Sequence, residues 1–244
     1  MRLAAALAAL LLGGCAGLSG LLSFSNDQVA SMLPSHVNRM KLNDLSPEVA
    51  RYLRRTYTVE FADANVTIVD DLLLRDLFAK ARVLGNAAAS FWDVRAVANS
   101  HLPSLPREIL YELSQGEDSV LLVDASFARS VGKREQLILV HECAHEDQYD
   151  KERYVRKGAG RIADRAPSMD AYLADPREME AFDWEMRYAQ TVLGMDLSSY
   201  LNVRFGFVVE QELAQALDRL WHRVEQPARS VSPAAEIGRP VAAN

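Results

Sequence analysis

Cysteine is nearly missing from this chain: of 244 residues only Cys15 and Cys143 carry a thiol. A disulfide framework is thereby excluded. A stripe of basic residues interleaved with aromatics is also missing. The formal net charge is −6 and the isoelectric point near 5.4, so nucleic acid is not an expected partner. No internal repeat at solenoid spacing occurs. No G-x-S-x-G elbow occurs either, which removes the serine-hydrolase reading. Gly158 to Ala163 match G-x-G-x-x-A by letter, but the preceding KERYVRK does not read as a strand, so a dinucleotide site is not expected. The apolar run Leu3–Leu12 has ten residues, about half of what a resident transmembrane helix needs. What remains, 49% hydrophobic and 25% charged, suffices for one sizeable core.

That apolar run has a different use. Arg2 supplies a positive start, Leu3–Leu12 an apolar centre, and Leu12-Gly13-Gly14-Cys15 resembles the cleavage box of bacterial lipoproteins. The resemblance implies a signal peptide over 1–14, lipidation at Cys15, and membrane attachment through that lipid. No Asp follows Cys15, which implies an outer-membrane lipoprotein facing the periplasm. Cys143 then has no intramolecular partner in an oxidising compartment and is expected to be a small, shielded packing residue.

The informative stretch is LILVHECAHEDQY, residues 137–149. His141 and His145 are four apart, so on a helix both imidazoles share one face, with Glu142 beside them. With the five histidines and sixteen glutamates of this composition, chance alone gives His-Glu-x-x-His in about 0.7% of chains. Leu137, Ile138, Leu139 and Val140 make the helix largely buried, and buried imidazoles need partners. A metal would satisfy both rings. A catalytic zinc takes three protein ligands and leaves the fourth position for water. His36, His101 and His222 stand in contexts that suit surface or structural roles. In the metzincin pattern, Gly and a third His would stand where Gln148 and Lys151 are, so that class is excluded.

YLADPREMEAFDWEM follows, with Glu178 thirty-three residues after His145. The pair of motifs resembles the gluzincins, zinc metallopeptidases whose third ligand is a glutamate on a second helix. The resemblance covers roughly residues 119–193, and H-x-x-Q-Y with D-P-x-E-x-E-A is also similar to some bacterial zincin-like proteins. It implies Zn2+ held by His141, His145 and Glu178, with Ala181 three residues on letting the helices approach; Glu180 is the alternative third ligand. Asp175-Pro176-Arg177-Glu178 also reads as a capping box, in which Glu178 would serve the helix start instead. Where the family often has Asp, this chain has Phe182, which leaves the partner of the ligands open. Glu142 is the implied general base, acting on a peptide or protein substrate in the cell envelope. Tyr172 or Tyr188 could offer a hydroxyl to an oxyanion. The alternative function is a non-catalytic zincin-like lipoprotein serving as a binding or assembly scaffold.

The expected fold is α+β, zincin-like and helix-rich with a small sheet, the HExxH helix packed against a second ligand-bearing helix. Residues 15–44 read as lipidated cysteine and tether, 45–225 as the metallopeptidase domain, and 226–244 as a disordered tail. Within the domain, Ser46-Pro47 opens a helix, NVTIVDD and VLLVDASF read as strands, and the long stretch around 72–102 reads as helix broken near Gly85. A short helix ends at Gly116. The metal-motif helix is expected after a Gly132-Lys133 turn, a further helix from Asp175-Pro176 to about Leu193, and another over roughly 207–225.

Overall fold

The computed structural model describes residues 24–57, 64–80, 89–94, 106–150, 175–206 and 211–225. It is helix-rich with a small mixed sheet, as an α+β chain should be. The signal peptide, Cys15, His101, the Gly158–Ala163 stretch, Tyr172 and the tail over 226–244 lie outside the described residues.

Strands β1 (Val37–Lys41), β2 (Asn65–Val69), β3 (Ala89–Asp93) and β4 (Ser119–Asp124) form one sheet in the order β1-β2-β4-β3. The central pair β2 and β4 is parallel, and the two outer strands run antiparallel to their neighbours. Strand side chains alternate between faces, and here the alternation sorts the apolar residues into two separate cores. Val66, Ile68, Ala89, Leu121 and Val123 point to one face. Val69, Trp92, Val120 and Leu122 point to the other, against α1 (Asn26–His36), α4 (Asp71–Lys80) and α5 (Arg107–Ser114). The first face is covered by α2 (Leu42–Leu45), α3 (Pro47–Thr56), α6 (Ala125–Arg129), α7 (Lys133–Asp150), α8 (Pro176–Thr191), α9 (Leu197–Phe205) and α10 (Gln211–Glu225).

Three expectations need correction. Residues 26–44 are not a tether: α1 and β1 lie there and belong to the fold. Ser25 and Gln28 form a capping box that starts α1, whose Val29 and Leu33 are fully buried. Of the stretch expected to be helical up to 102, the described residues give α4 and then the strand β3, where Ala89 and Trp92 bury on opposite sheet faces with the period of two; Gly85 lies outside the described residues. The strand at 120–127 stops at Asp124, whose carboxylate caps α6 by accepting from the Phe127 N–H. An additional helix, α9, precedes the expected one near the C-terminus.

α7 carries the metal motif. Leu137, Ile138, Leu139 and Val140 are all buried, so the helix is enclosed on all sides rather than along one stripe. It lies between β3 and β4 on one side and α8 on the other. Ala144 on α7 and Ala181 on α8 are fully buried, the small side chains that close helix approach requires.

Candidate metal centre

His141, His145 and Glu178 come together as the motif spacing implies. Their ligand atoms all lie within 4.8 Å of one another. The His141 and His145 Nε2 atoms are 3.3 Å apart, and the Glu178 Oε2 lies 3.3 Å from the first and 3.5 Å from the second. Ligands 2.0–2.1 Å from a tetrahedral zinc are separated by about 3.3–3.4 Å, so the three distances match the edges of such a tetrahedron.

The far side of each ring shows which nitrogen is free. His141 Nδ1 stands 3.1 Å from Glu185 Oε2, and a carboxylate can only accept, so Nδ1 carries the proton. His145 Nδ1 stands 3.1 Å from Gln148 Oε1. The Gln148 amide is not ambiguous: its nitrogen donates to the Arg177 carbonyl at 2.9 Å and to Glu180 Oε2 at 3.2 Å, which leaves the oxygen for His145. In their neutral form both rings would therefore aim the lone pair of Nε2 at the same point. Two lone pairs at that distance repel unless a cation sits between them and Glu178, and the donor set fits a metal on that ground.

The electrostatics agree. Burial alone would pull the imidazoles down, yet the Glu178 and Glu185 carboxylates outweigh it at His141 and raise it to about 10. His145 is also raised: burial opposes, and the Glu178 charge prevails. Burial would lift Glu178, but the His145 and His141 charges hold it well below the usual carboxylate range. The cluster is built to hold positive charge.

Of the two proposed third ligands, Glu178 reaches the histidines and Glu180 does not; Glu180 instead steadies Gln148 and, through it, His145. Nor does Glu178 complete a capping box. Asp175 caps α8 alone, accepting from the Arg177 N–H at 2.9 Å. Phe182, where Asp was looked for, lies edge-on to the His141 ring with centroids 4.7 Å apart. The missing carboxylate is supplied one turn later by Glu185, seven residues after Glu178 and on the same helix face. That spacing was visible in the sequence, but nothing there distinguished Glu185 from a solvated charge.

Glu142 Oε2 accepts from the Phe91 N–H of β3 at 2.7 Å, so the general-base candidate lies against an outer strand of the sheet. Tyr149 packs on the same residue, ring centroids 5.9 Å apart. Tyr188 is placed elsewhere: its hydroxyl donates to Gln136 at 3.0 Å and its ring edges against Tyr52. It is therefore occupied at the α3 side of the helices, which corrects its assignment as an oxyanion donor. Cys143 is fully buried, and burial pushes its thiol up, with the Glu146 and Glu142 charges adding to the rise. It packs, as expected, and is no ligand. Of the other histidines, His36 and His222 are exposed.

Compared with family models, curated proteins and solved structures, the chain finds no match in any of the three.

Proposed function

We propose that the chain is a zinc-dependent peptidase of zincin type, and that Cys15 anchors it by lipid in the bacterial cell envelope. The supporting observation is the convergence of two Nε2 atoms and one carboxylate oxygen at tetrahedral spacing, with a further carboxylate, Glu142, on the same helix and free of the ligand set. Among the described residues two histidines and a glutamate converge, the three ligands of a hydrolytic zinc set rather than the four of a closed structural one. Bound there, zinc would polarise the scissile carbonyl and acidify water.

The chain's own residues do the rest. Glu142 takes the proton from the attacking water and delivers it to the leaving amine. Strand β3 lies at the edge of the sheet among the described residues. Its register with β4 turns the Phe91 N–H outward, toward Glu142. An extended peptide added along that edge would pair by main-chain hydrogen bonds and pass beside the base. Attachment cannot come from a spanning helix within the described residues, since none is long and apolar enough.

The same Phe91–Glu142 hydrogen bond favours a second reading, a non-catalytic zincin-like scaffold in which Glu142 merely fastens α7 to the sheet. One comparison decides. In the peptidase, Glu142→Gln keeps its zinc and loses about two to four orders of magnitude in cleavage of unfolded casein. His141→Ala loses metal and activity together. A wild type that holds zinc yet cleaves no peptide of a broad library establishes the scaffold.

A further inference from the structure

Glu185 is fully buried, and its two oxygens divide their work. Oε2 faces His141 Nδ1. Oε1 accepts from two side chains of α9, the Tyr200 hydroxyl at 3.0 Å and the Arg204 Nε at 2.7 Å. Tyr200 and Arg204 are four apart and so share one face of α9. The helix is held at both ends: Asp196 caps its start by accepting from the Ser199 N–H at 2.7 Å, and Gly206, at φ 83°, ends it. Phe205, the last residue of α9, lies 6.4 Å from Phe182 between ring centroids, and Phe182 in turn lies edge-on to His141.

We infer that Tyr200 and Arg204 are positioning residues of the metal centre: they hold Glu185 so that His141 presents Nε2 to the metal. The inference rests on the reading of His141, His145 and Glu178 as a metal site. A lone buried carboxylate could swing its oxygens or accept a proton; a guanidinium is charged at all working pH values and fixed in plane. With Oε1 pinned by two donors, Oε2 has one remaining direction, toward Nδ1. That hydrogen bond fixes the ring tautomer and rotation, which sets the strength of a ligating imidazole. The purely structural role, α9 docked to α8 by an ion pair, would account for Arg204 binding Glu185. It gives no reason for the second oxygen to be reserved for His141.

The test measures Zn2+ affinity by chelator competition and the visible spectrum of the Co2+-loaded protein, for the wild-type chain, Arg204→Gln, Arg204→Lys, Tyr200→Phe and Arg187→Gln. Arg187 pairs with Asp183 on α8, away from Glu185, and serves as the control for loss of an arginine ion pair outside the site. Arg204→Gln should weaken Zn2+ binding about tenfold to a hundredfold and alter the Co2+ bands. Arg204→Lys should recover part of the affinity. Tyr200→Phe, which removes one hydroxyl and keeps the ring, should weaken binding about threefold to tenfold and remains informative if Arg204→Gln does not fold. Arg187→Gln should match wild type. A merely structural pair would lower thermal stability while leaving the Co2+ spectrum and the affinity of folded protein untouched. Wild-type affinity and spectrum in both Tyr200→Phe and a folded Arg204 variant overturn the inference alone; a wild type that binds Zn2+ no better than His141→Ala overturns the metal site and the inference with it.

Discussion

The two faces of the sheet bury polar groups in different ways. On the face covered by α1, α4 and α5, the buried Thr67, Ser114 and Asp76 each bond a backbone group. The Thr67 hydroxyl donates to the Leu113 carbonyl, Ser114 Oγ accepts from the Gly116 N–H, and Asp76 accepts from the Phe24 N–H. On the face carrying α7, α8 and α9, side chains bind side chains in one continuous line: Arg204 and Tyr200 to Glu185, then His141, Glu178, His145, Gln148 and Glu180. Groups of the first kind satisfy main-chain valences. The line leaves three ligand atoms turned toward one another. Burial of polar groups is thus common to both faces, and convergence of their unspent valences marks the site.

Losing a ligand should separate the faces most sharply. Glu178→Gln is expected to weaken Zn2+ binding by at least about a hundredfold, and Glu180→Gln, which acts on His145 through Gln148, by about tenfold. Competition with a chromophoric chelator ranks the two. Equal losses would mean that Glu180 also ligates.

On the opposite face, Leu73→Ala empties a fully buried position beside Trp92 and Leu122, and should cost about 2–5 kcal/mol in urea unfolding. Zn2+ affinity of the protein that stays folded should not change. A drop in affinity there would join the two cores energetically and undo the comparison.

A pH series gives the next effect. With His141 raised to about 10 and His145 also raised, the metal-free rings hold their protons to higher pH than a free imidazole does, so Zn2+ binding must displace protons. Affinity should therefore tighten as pH rises from 6 to 8, by about tenfold per unit for each proton displaced. Without metal the sign is reversed. A histidine raised by folding stabilises fully below its unfolded value of 6.5, and that contribution fades as pH climbs toward 10. Glu178 and Glu185 are held low, so their contribution is present above the unfolded value of 4.5 and is lost as acid protonates them. The gap in melting temperature between zinc-loaded and metal-free protein should widen with pH; a constant gap would show that no proton leaves on binding.

The smallest effect belongs to Thr67→Val, which removes one hydroxyl–carbonyl bond on the far face and should cost about 1 kcal/mol with no change in metal content.

How legible these features were depended on whether their cause was local. His141 and His145 could be read because one turn of helix sets them on a common face, and Glu178 because its helix, with Ala181 three residues on, resembles the gluzincin second-helix motif. Glu185 could not, because its role is assigned by Tyr200 and Arg204 on a helix whose sequence, LSSYLNVRF, shows no clear apolar stripe. Strand β3 was hidden in ASFWD inside a run of helical character; its pairing with β4 decides it, thirty residues away from Ala89. The polar edge strand VNRMK reads as linker until β2 is set beside it, although Ser25 and Gln28 ahead of it already spelled a helix start.

Cys143 sits at zero exposure in the turn that separates the two histidines, and it is the free thiol of the described fold. A thiol so placed is a clock. An aromatic disulfide reagent can reach it only when α7 lifts from the sheet or from α8, so in a protein whose Cys15 is cleaved off or replaced, the labelling rate counts openings of the helix that carries the ligands. Metal bridging α7 to α8 would slow that count, and the ratio of the two rates reports how firmly the ion ties the helices together.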